Sequence, residues 1–365
     1  MELSVVIPCL NESETLPICI KKAKNQIVKL NINGEIIVSD NGSNDGSQEI
    51  AVNLGAKVVN CKKKGYGAAV INGIKNSIGK YVLIADADDS YNFDDLPKFY
   101  NKIKQGYNLV QGCRMPAGGG KIEKGAMPLS HKFIGNPLFS KLVKLFYDVK
   151  FNDVYCGMKI IDNKFFRHAN FFSEGMVFCL EILIKSKIME AKVSEIPITL
   201  YKDGRVNSKS HLKTIKDGLK TLKFILISSP KWIFFLPSCF FFLSFLISTL
   251  FLYNYENILR NLLILPFMCF YMSFQLFMLG LFSTLRAKNL GLNKSLWLEK
   301  FFHFFSLRFS IIISILLIII PVYFEFINYK LFSEDINFIF LSFSVFFGLS
   351  LIGNSLTISL LSLNK

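Results

Sequence analysis

Short runs of β-branched and aliphatic residues alternate with longer stretches of helical periodicity through the first half of this 365-residue chain. The alternation predicts strands at 3–7, 35–39, 57–59, 81–85 and 108–111, joined by helices at 15–30, 45–54, 66–77 and 94–105. Strands separated by helix-length crossovers make a mostly parallel sheet with helices on its faces, and ligands of such sheets sit beyond the carboxyl ends of the strands. The pattern changes near Pro230. Beyond it lie apolar runs at 232–253, 262–285, 309–327 and 336–361, each close to or above the about 20 residues that cross a bilayer core. Phe240-Phe241-Phe242-Leu243 and Ile311-Ile312-Ile313 leave little room for the polar face that a soluble helical bundle shows. The expected organisation is an α/β domain over 1–207, an amphipathic juxtamembrane segment over 208–230 and an all-α transmembrane domain of four helices over 231–365.

The formal net charge of +15 raises nucleic acid as a partner. Its placement argues against one: Lys209, His211, Lys213, Lys216, Lys220, Lys223 and Lys231 interleave with Leu212, Ile215, Leu219, Leu222 and Phe224. That is the pattern of a helix lying on an anionic membrane surface. Lys and Arg in short loops stay cytoplasmic, and Arg286, Lys288, Lys294 and Lys300 fall between the second and third apolar runs, whereas the loops around Glu256 and Glu334-Asp335 are poor in cations. Both termini and the first domain are therefore expected on the cytoplasmic side of a multi-pass inner-membrane protein. The opening 3–8 is too short and lacks the basic flank of a signal peptide, which agrees with that orientation. The eight cysteines are scattered without a Cys-x-x-Cys pair and read as apolar fillers, and most of the 37 phenylalanines reflect lipid-facing helices rather than a stacking site.

Candidate chemistry gathers after the predicted strands. Asp86-Ala87-Asp88-Asp89 follows the run Tyr81-Val82-Leu83-Ile84-Ala85, so carboxylates stand on a rigid strand tip. Mg²⁺ or Mn²⁺ completes its octahedron there with waters and substrate phosphates, and a nucleoside diphosphate supplies such phosphates. The competing reading is a solvated acidic turn capping the helix from Asp94. Asp40 follows another strand, where a carboxylate accepts hydrogen bonds from a nucleobase or ribose, or else closes an Asx turn. Gly65 and Gly67 let backbone approach a phosphate, with Lys62, Lys63 and Lys64 adding charge.

Together these loops resemble the family 2 glycosyltransferases, in the branch of dolichyl-phosphate mannose and polyprenyl-phosphate glucose synthases. Val5-Val6-Ile7-Pro8-Cys9-Leu10-Asn11-Glu12 is similar to that family's first strand and nucleotide loop. Asp40-Asn41-Gly42-Ser43-Asn44-Asp45-Gly46-Ser47 is similar to its base-binding segment, and Asp86-Ala87-Asp88 to its metal motif. Gly112-Cys113-Arg114, Asp153 to Lys159 and Arg205 to Lys209 look like acceptor-side segments, and the likeness extends over roughly residues 3 to 210. It is nearest a bacterial subgroup described as dolichol-phosphate-glucose synthetase-like. Ser90, Cys156 and Lys159 depart from the residues usual in relatives, and Lys159 in place of Arg loses a bidentate fork for phosphate.

The resemblance implies a GT-A fold and inverting transfer from a UDP- or GDP-sugar to a membrane lipid, with polyprenyl phosphate the favoured acceptor. Asp86 and Asp88 would hold the metal. Pro8, Leu10, Asn11, Glu12, Asp40, Gly42, Asp45, Lys64, Gly65, Gly67, Asp86 and Ala87 would bind the nucleotide sugar. Asp88, Asp89, Arg114 and Asp153 are the candidate catalytic residues. An ionised lipid phosphate needs cationic positioning rather than a base, for which Arg114, Lys159, Arg205 and Lys209 are candidates. An alcohol such as diacylglycerol would need a base, Asp153 or Asp89. A glycolipid flippase with a regulatory first domain is the reading from another class, but the apolar runs hold few ionisable groups beyond Arg308 and Glu325. Relatives leave room for a homo-oligomer.

Overall fold

The computed structural model describes residues 1–206, 214–254, 264–292, 307–326 and 334–363. The chain divides into two compact units, Met1–Ile225 and Leu226–Lys365.

The first unit is built on β1 (Leu3–Cys9), β2 (Gly34–Asp40), β3 (Lys57–Asn60), β4 (Tyr81–Ile84), β5 (Leu109–Cys113), β6 (Lys121–Ile122), β7 (Lys159–Asp162), β8 (Val193–Pro197) and β9 (Thr199–Leu200). Seven of these strands form one sheet in the order β3-β2-β1-β4-β7-β5-β8, and β6 and β9 pair separately. Every pairing in the main sheet is parallel except those of β7, which runs against β4 and β5. Helices α1 (Leu16–Lys29), α2 (Ser47–Asn53), α3 (Tyr66–Lys75) and α4 (Leu96–Ile103) make the crossovers that the periodicity predicts. They are followed by α5 (Asn136–Tyr147), α6 (Asn163–Phe166), α7 (Phe178–Ile188) and α8 (Thr214–Ser228).

The sheet is covered on both faces, so its strands read as continuous apolar runs. Successive residues part company across it: Val5 and Ile7 of β1 enter one core with Ile36, Val38 and Leu83, while Val6 enters the other with Ile37, Val82 and Ile84. In α1 the buried residues Leu16, Cys19, Ile20, Ala23 and Ile27 repeat at helical spacing, and Pro17 in its first turn needs no donor there.

The second unit contains α9 (Leu236–Asn254), α10 (Ile264–Asn289), α11 (Leu307–Phe326) and α12 (Glu334–Leu363), so each of the four apolar runs coincides with a helix. Among the described residues, Lys231–Phe251 and Ile264–Asn289 are long and apolar enough to cross a membrane, whereas Phe309–Ile320 and Leu341–Thr357 are shorter apolar stretches.

Candidate active site

β1 leads through a crossover to β2 on one side and pairs with β4 on the other, so the connections diverge at the tips of β1 and β4. Such a divergence leaves a crevice beyond the carboxyl ends of the strands. A cavity of roughly 550 Å³ opens there. Its lining takes Pro8, Leu10 and Glu12 from the β1 loop, Lys64 and Gly65 from the β3 loop, Asp86, Ala87 and Asp88 from the β4 tip, and Arg205.

The two acidic residues differ in their surroundings. Asp86 Oδ1 is sealed from solvent and accepts no hydrogen bond. Burial and then the charge of Asp88 push the Asp86 carboxyl up to about 7, against the pull of a hydrogen bond from Tyr66 and the charges of Arg114 and Lys159. Gly157 leaves the space it needs, because a Cβ there would stand 2.5 Å from Asp86 Oδ2. Asp88 Oδ1 accepts from the Ser90 amide at 3.1 Å and the Ser90 hydroxyl at 2.6 Å, and its Oδ2 lies 3.4 Å from the Arg205 guanidinium. Among the described residues no group of three His, Cys, Asp or Glu forms a metal cage. A pair of carboxylates with an unsatisfied acceptor fits Mg²⁺ or Mn²⁺, which take one or two carboxylates and fill the rest of the shell with water and substrate phosphates.

Residues 4–169 match the model of "Glycosyl transferase family 2". They form a family 2 glycosyltransferase domain. The chain is 33% identical over 237 residues to the low-salt glycan biosynthesis hexosyltransferase Agl6 of Haloferax volcanii, covering 64% of this chain and 55% of that one. It is 32% identical over 228 residues to the dolichol-phosphate mannosyltransferase of Pyrococcus furiosus, covering 60% and 62%. The chain thus spans little more than half the length of the first of these relatives. A solved structure of Mycobacterium tuberculosis glucosyl-3-phosphoglycerate synthase with Mn²⁺, UDP and glucosyl-3-phosphoglycerate covers 62% of this chain and 79% of its own, at 20% identity and a TM-score of 0.48. At that level the likeness carries no argument about chemistry.

In the glycosyltransferase domain, several residues expected at the nucleotide act as scaffold for the loops around it. Asp40 is buried, and its Oδ2 accepts from the amides of Gly42 and Ser43 at 2.9 and 3.1 Å and from Gln48 Nε2 at 2.8 Å. It closes an Asx turn and does not line the cavity. Asn11 and Asp45 lace two loops together: Asn11 Oδ1 accepts from the Asn44 amide at 2.9 Å, and Asp45 accepts from the amides of Ser13 and Ser47 at 2.9 and 3.1 Å. Partial burial of Asp45 opposes ionisation, but the hydrogen bonds from Ser47 and Ser13 outweigh it and hold the carboxyl below its usual range. Gly42 packs on Lys64, and Gly67 packs on the Ser173 carbonyl, neither lining the cavity. Gly65 does line it, at a φ of 125°, where a Cβ would meet the Glu174 carbonyl at 2.3 Å.

The expected acceptor-side cations and bases also fall differently. Arg114 is buried and forks onto Asp153, with Nε to Oδ2 at 2.7 Å and Nη2 to Oδ1 at 2.9 Å, while Asp153 has no exposed surface. Tyr91 joins this network, its hydroxyl accepting from Arg114 at 3.3 Å and from the Gly157 amide at 2.8 Å. The pair is therefore an internal brace behind Asp86, and neither residue lines the cavity. Asp89 is ion-paired to Lys22 at 2.8 Å. Lys159 is buried within β7, and its ammonium has no hydrogen-bond partner. Arg205 reaches the cavity but holds Glu12, with Nε to Oε2 at 2.9 Å. Lys209 lies outside the described residues.

Other lining residues are not expected at a site from the sequence: Asn41, Tyr66, Glu174, Gly175, Met176 and Asp217, together with Lys220, which the sequence places only on a membrane-facing helix. Asn41 and Tyr66 lie inside quoted motifs. The rest come from segments whose approach to the strand tips leaves no local mark.

Proposed function

We propose that this protein transfers a sugar from a nucleoside-diphosphate sugar to a lipid-linked phosphate, with polyprenyl phosphate the acceptor and inversion at the anomeric carbon. The observation that carries this reading is the acidic pair Asp86 and Asp88 in the crevice beyond β1 and β4, with an unsatisfied acceptor on Asp86 and with Gly65 and Lys64 lining the same cavity. Asp86 and Asp88 would hold Mg²⁺ or Mn²⁺, which offsets the charge gathering on the departing diphosphate. Gly65 would let backbone approach that diphosphate, and Lys64 would face its outer oxygens.

The choice of acceptor follows from which carboxylates are already engaged. An alcohol acceptor must lose a proton to a base, yet Asp153 is forked to Arg114 and Asp89 is paired to Lys22. A phosphate monoester has a second pKa of about 6 and is largely ionised near neutral pH, so no base is required. The apolar C-terminal helices suit an acceptor whose tail stays in lipid. In this reading all four helices span the membrane, with the glycosyltransferase domain on the cytoplasmic side.

The test is to incubate the purified protein with UDP- and GDP-sugars, Mg²⁺ or Mn²⁺, and either polyprenyl phosphate or diacylglycerol, and to weigh the lipid product. A polyprenyl-phosphate sugar is the expected product, lost in Asp88→Ala. Glycosylated diacylglycerol alone, or an Asp88→Ala variant with full activity, would overturn the reading.

A further inference from the structure

Resting on that reading, we propose that Lys220 of α8 contacts the phosphate of the lipid acceptor. Three cations line the cavity among the described residues: Lys64, Arg205 and Lys220. Arg205 is engaged by Glu12 and Asp88. The Lys64 ammonium donates to the Asn41 carbonyl at 2.8 Å, which anchors it to the loops on the donor side. Lys220 is exposed, and no hydrogen bond or ion pair engages it among the described residues. Arg114 and Lys159 are buried and outside the lining, so neither supplies the missing charge.

Two phosphate groups must come together at this site, and they repel. A cation on the acceptor side lowers that repulsion and fixes the attacking oxygen through a charge-assisted hydrogen bond. Lys220 enters from a helix separate from the strand-tip loops that carry the acidic pair. The same helix exposes Ile215 and Leu219, at 79% and 62%, as a helix lying on a lipid surface does. A lipid phosphate at the interface would therefore meet Lys220 without leaving its tail's environment. Lys216 and Lys223, one turn to either side, do not line the cavity and serve as controls.

The experiment uses the full-length protein in detergent with farnesyl phosphate as acceptor, so that docking to a bilayer does not enter. Lys220→Ala should raise the KM for farnesyl phosphate by about tenfold or more, the size of a lost charge-assisted contact. The KM for the sugar donor should not change, Lys220→Arg should restore most of the acceptor affinity, and Lys216→Ala and Lys223→Ala should behave as wild type. Equal losses in all three alanine variants, a shift in donor KM alone, or no shift would each overturn the proposal. A wild-type protein that transfers sugar to diacylglycerol but never to farnesyl phosphate would overturn the underlying reading instead.

Discussion

Asp86 and Gly157 face each other across a gap with no room for one more carbon. In Gly157→Ala the new methyl must displace the Asp86 carboxylate, and a shift of about 1 Å in a reacting constellation costs on the order of a hundredfold in rate. Sugar transfer should fall by that order and half-saturation by Mn²⁺ should rise, as read from nucleotide binding during a Mn²⁺ titration. Asp86 also sets a pH dependence. Its folded-state value of about 7 lies above the ordinary 3.8, so the folded protein keeps a proton that the unfolded chain releases. This contribution favours folding at low pH and is lost as pH rises between those two values. With chelator present, wild-type thermal stability should decline over that interval relative to Asp86→Asn; with Asp86 in its proposed role as a metal ligand, metal affinity should climb over the same interval, because a cation binds the ionised carboxylate. Parallel pH profiles for the two proteins would contradict this.

At the scale of elements, one wall of the cavity is held by α7. Every residue from Phe178 through Ser186 is buried, including Glu181 and Lys185, which pair at 2.8 Å. Glu181 accepts from the amides of Phe172 and Ser173, and Lys185 donates to the carbonyls of Ala169 and Asn170 beneath the rings of Phe171 and Phe172. The segment fixed in this way presents Glu174, Gly175 and Met176 to the cavity and its backbone to Gly65 and Gly67. Lys185→Met would strand the Glu181 carboxylate in the core, a change that costs about 3–5 kcal/mol. Chemical denaturation should show that loss, with much of it recovered in the Glu181→Gln, Lys185→Met double variant. The spacing of Glu181 and Lys185 is visible in the sequence, where it looks like an ordinary surface pair on a helix. Its burial on all sides is a property of the packing.

At the scale of the whole molecule, α9 carries Phe240, Leu243, Ile247 and Leu250 at 65%, 57%, 67% and 65% exposure. An apolar stripe of that extent needs lipid or a partner to cover it. Where α9 meets α10, the Ser238 and Ser273 hydroxyls each donate to the other's carbonyl at 2.8 Å, which satisfies polar groups internally as a bilayer requires. The full-length protein should stay with membranes through high-salt and alkaline carbonate washes and leave only with detergent. Release by salt alone would reduce the C-terminal unit to a surface attachment.

The sequence by itself determined the first five strands and the helices between them, the apolar runs that become α9 to α12, and the acidic tip after β4, while β7, which runs against its neighbours, left no such mark. The features it determined are written in neighbouring residues, as a period of two or 3.6 or as a motif that turns a corner of the chain. Only the tertiary structure decided which charged groups are available. Arg114 and Asp153, 39 positions apart, cancel each other inside the domain, and Glu12 and Arg205, 193 positions apart, meet at its mouth. A cation read alone looks ready for phosphate, but its freedom depends on what the fold brings within a few ångströms. Lys220, which looks like one lysine of a membrane-facing helix, enters the cavity lining for the same reason.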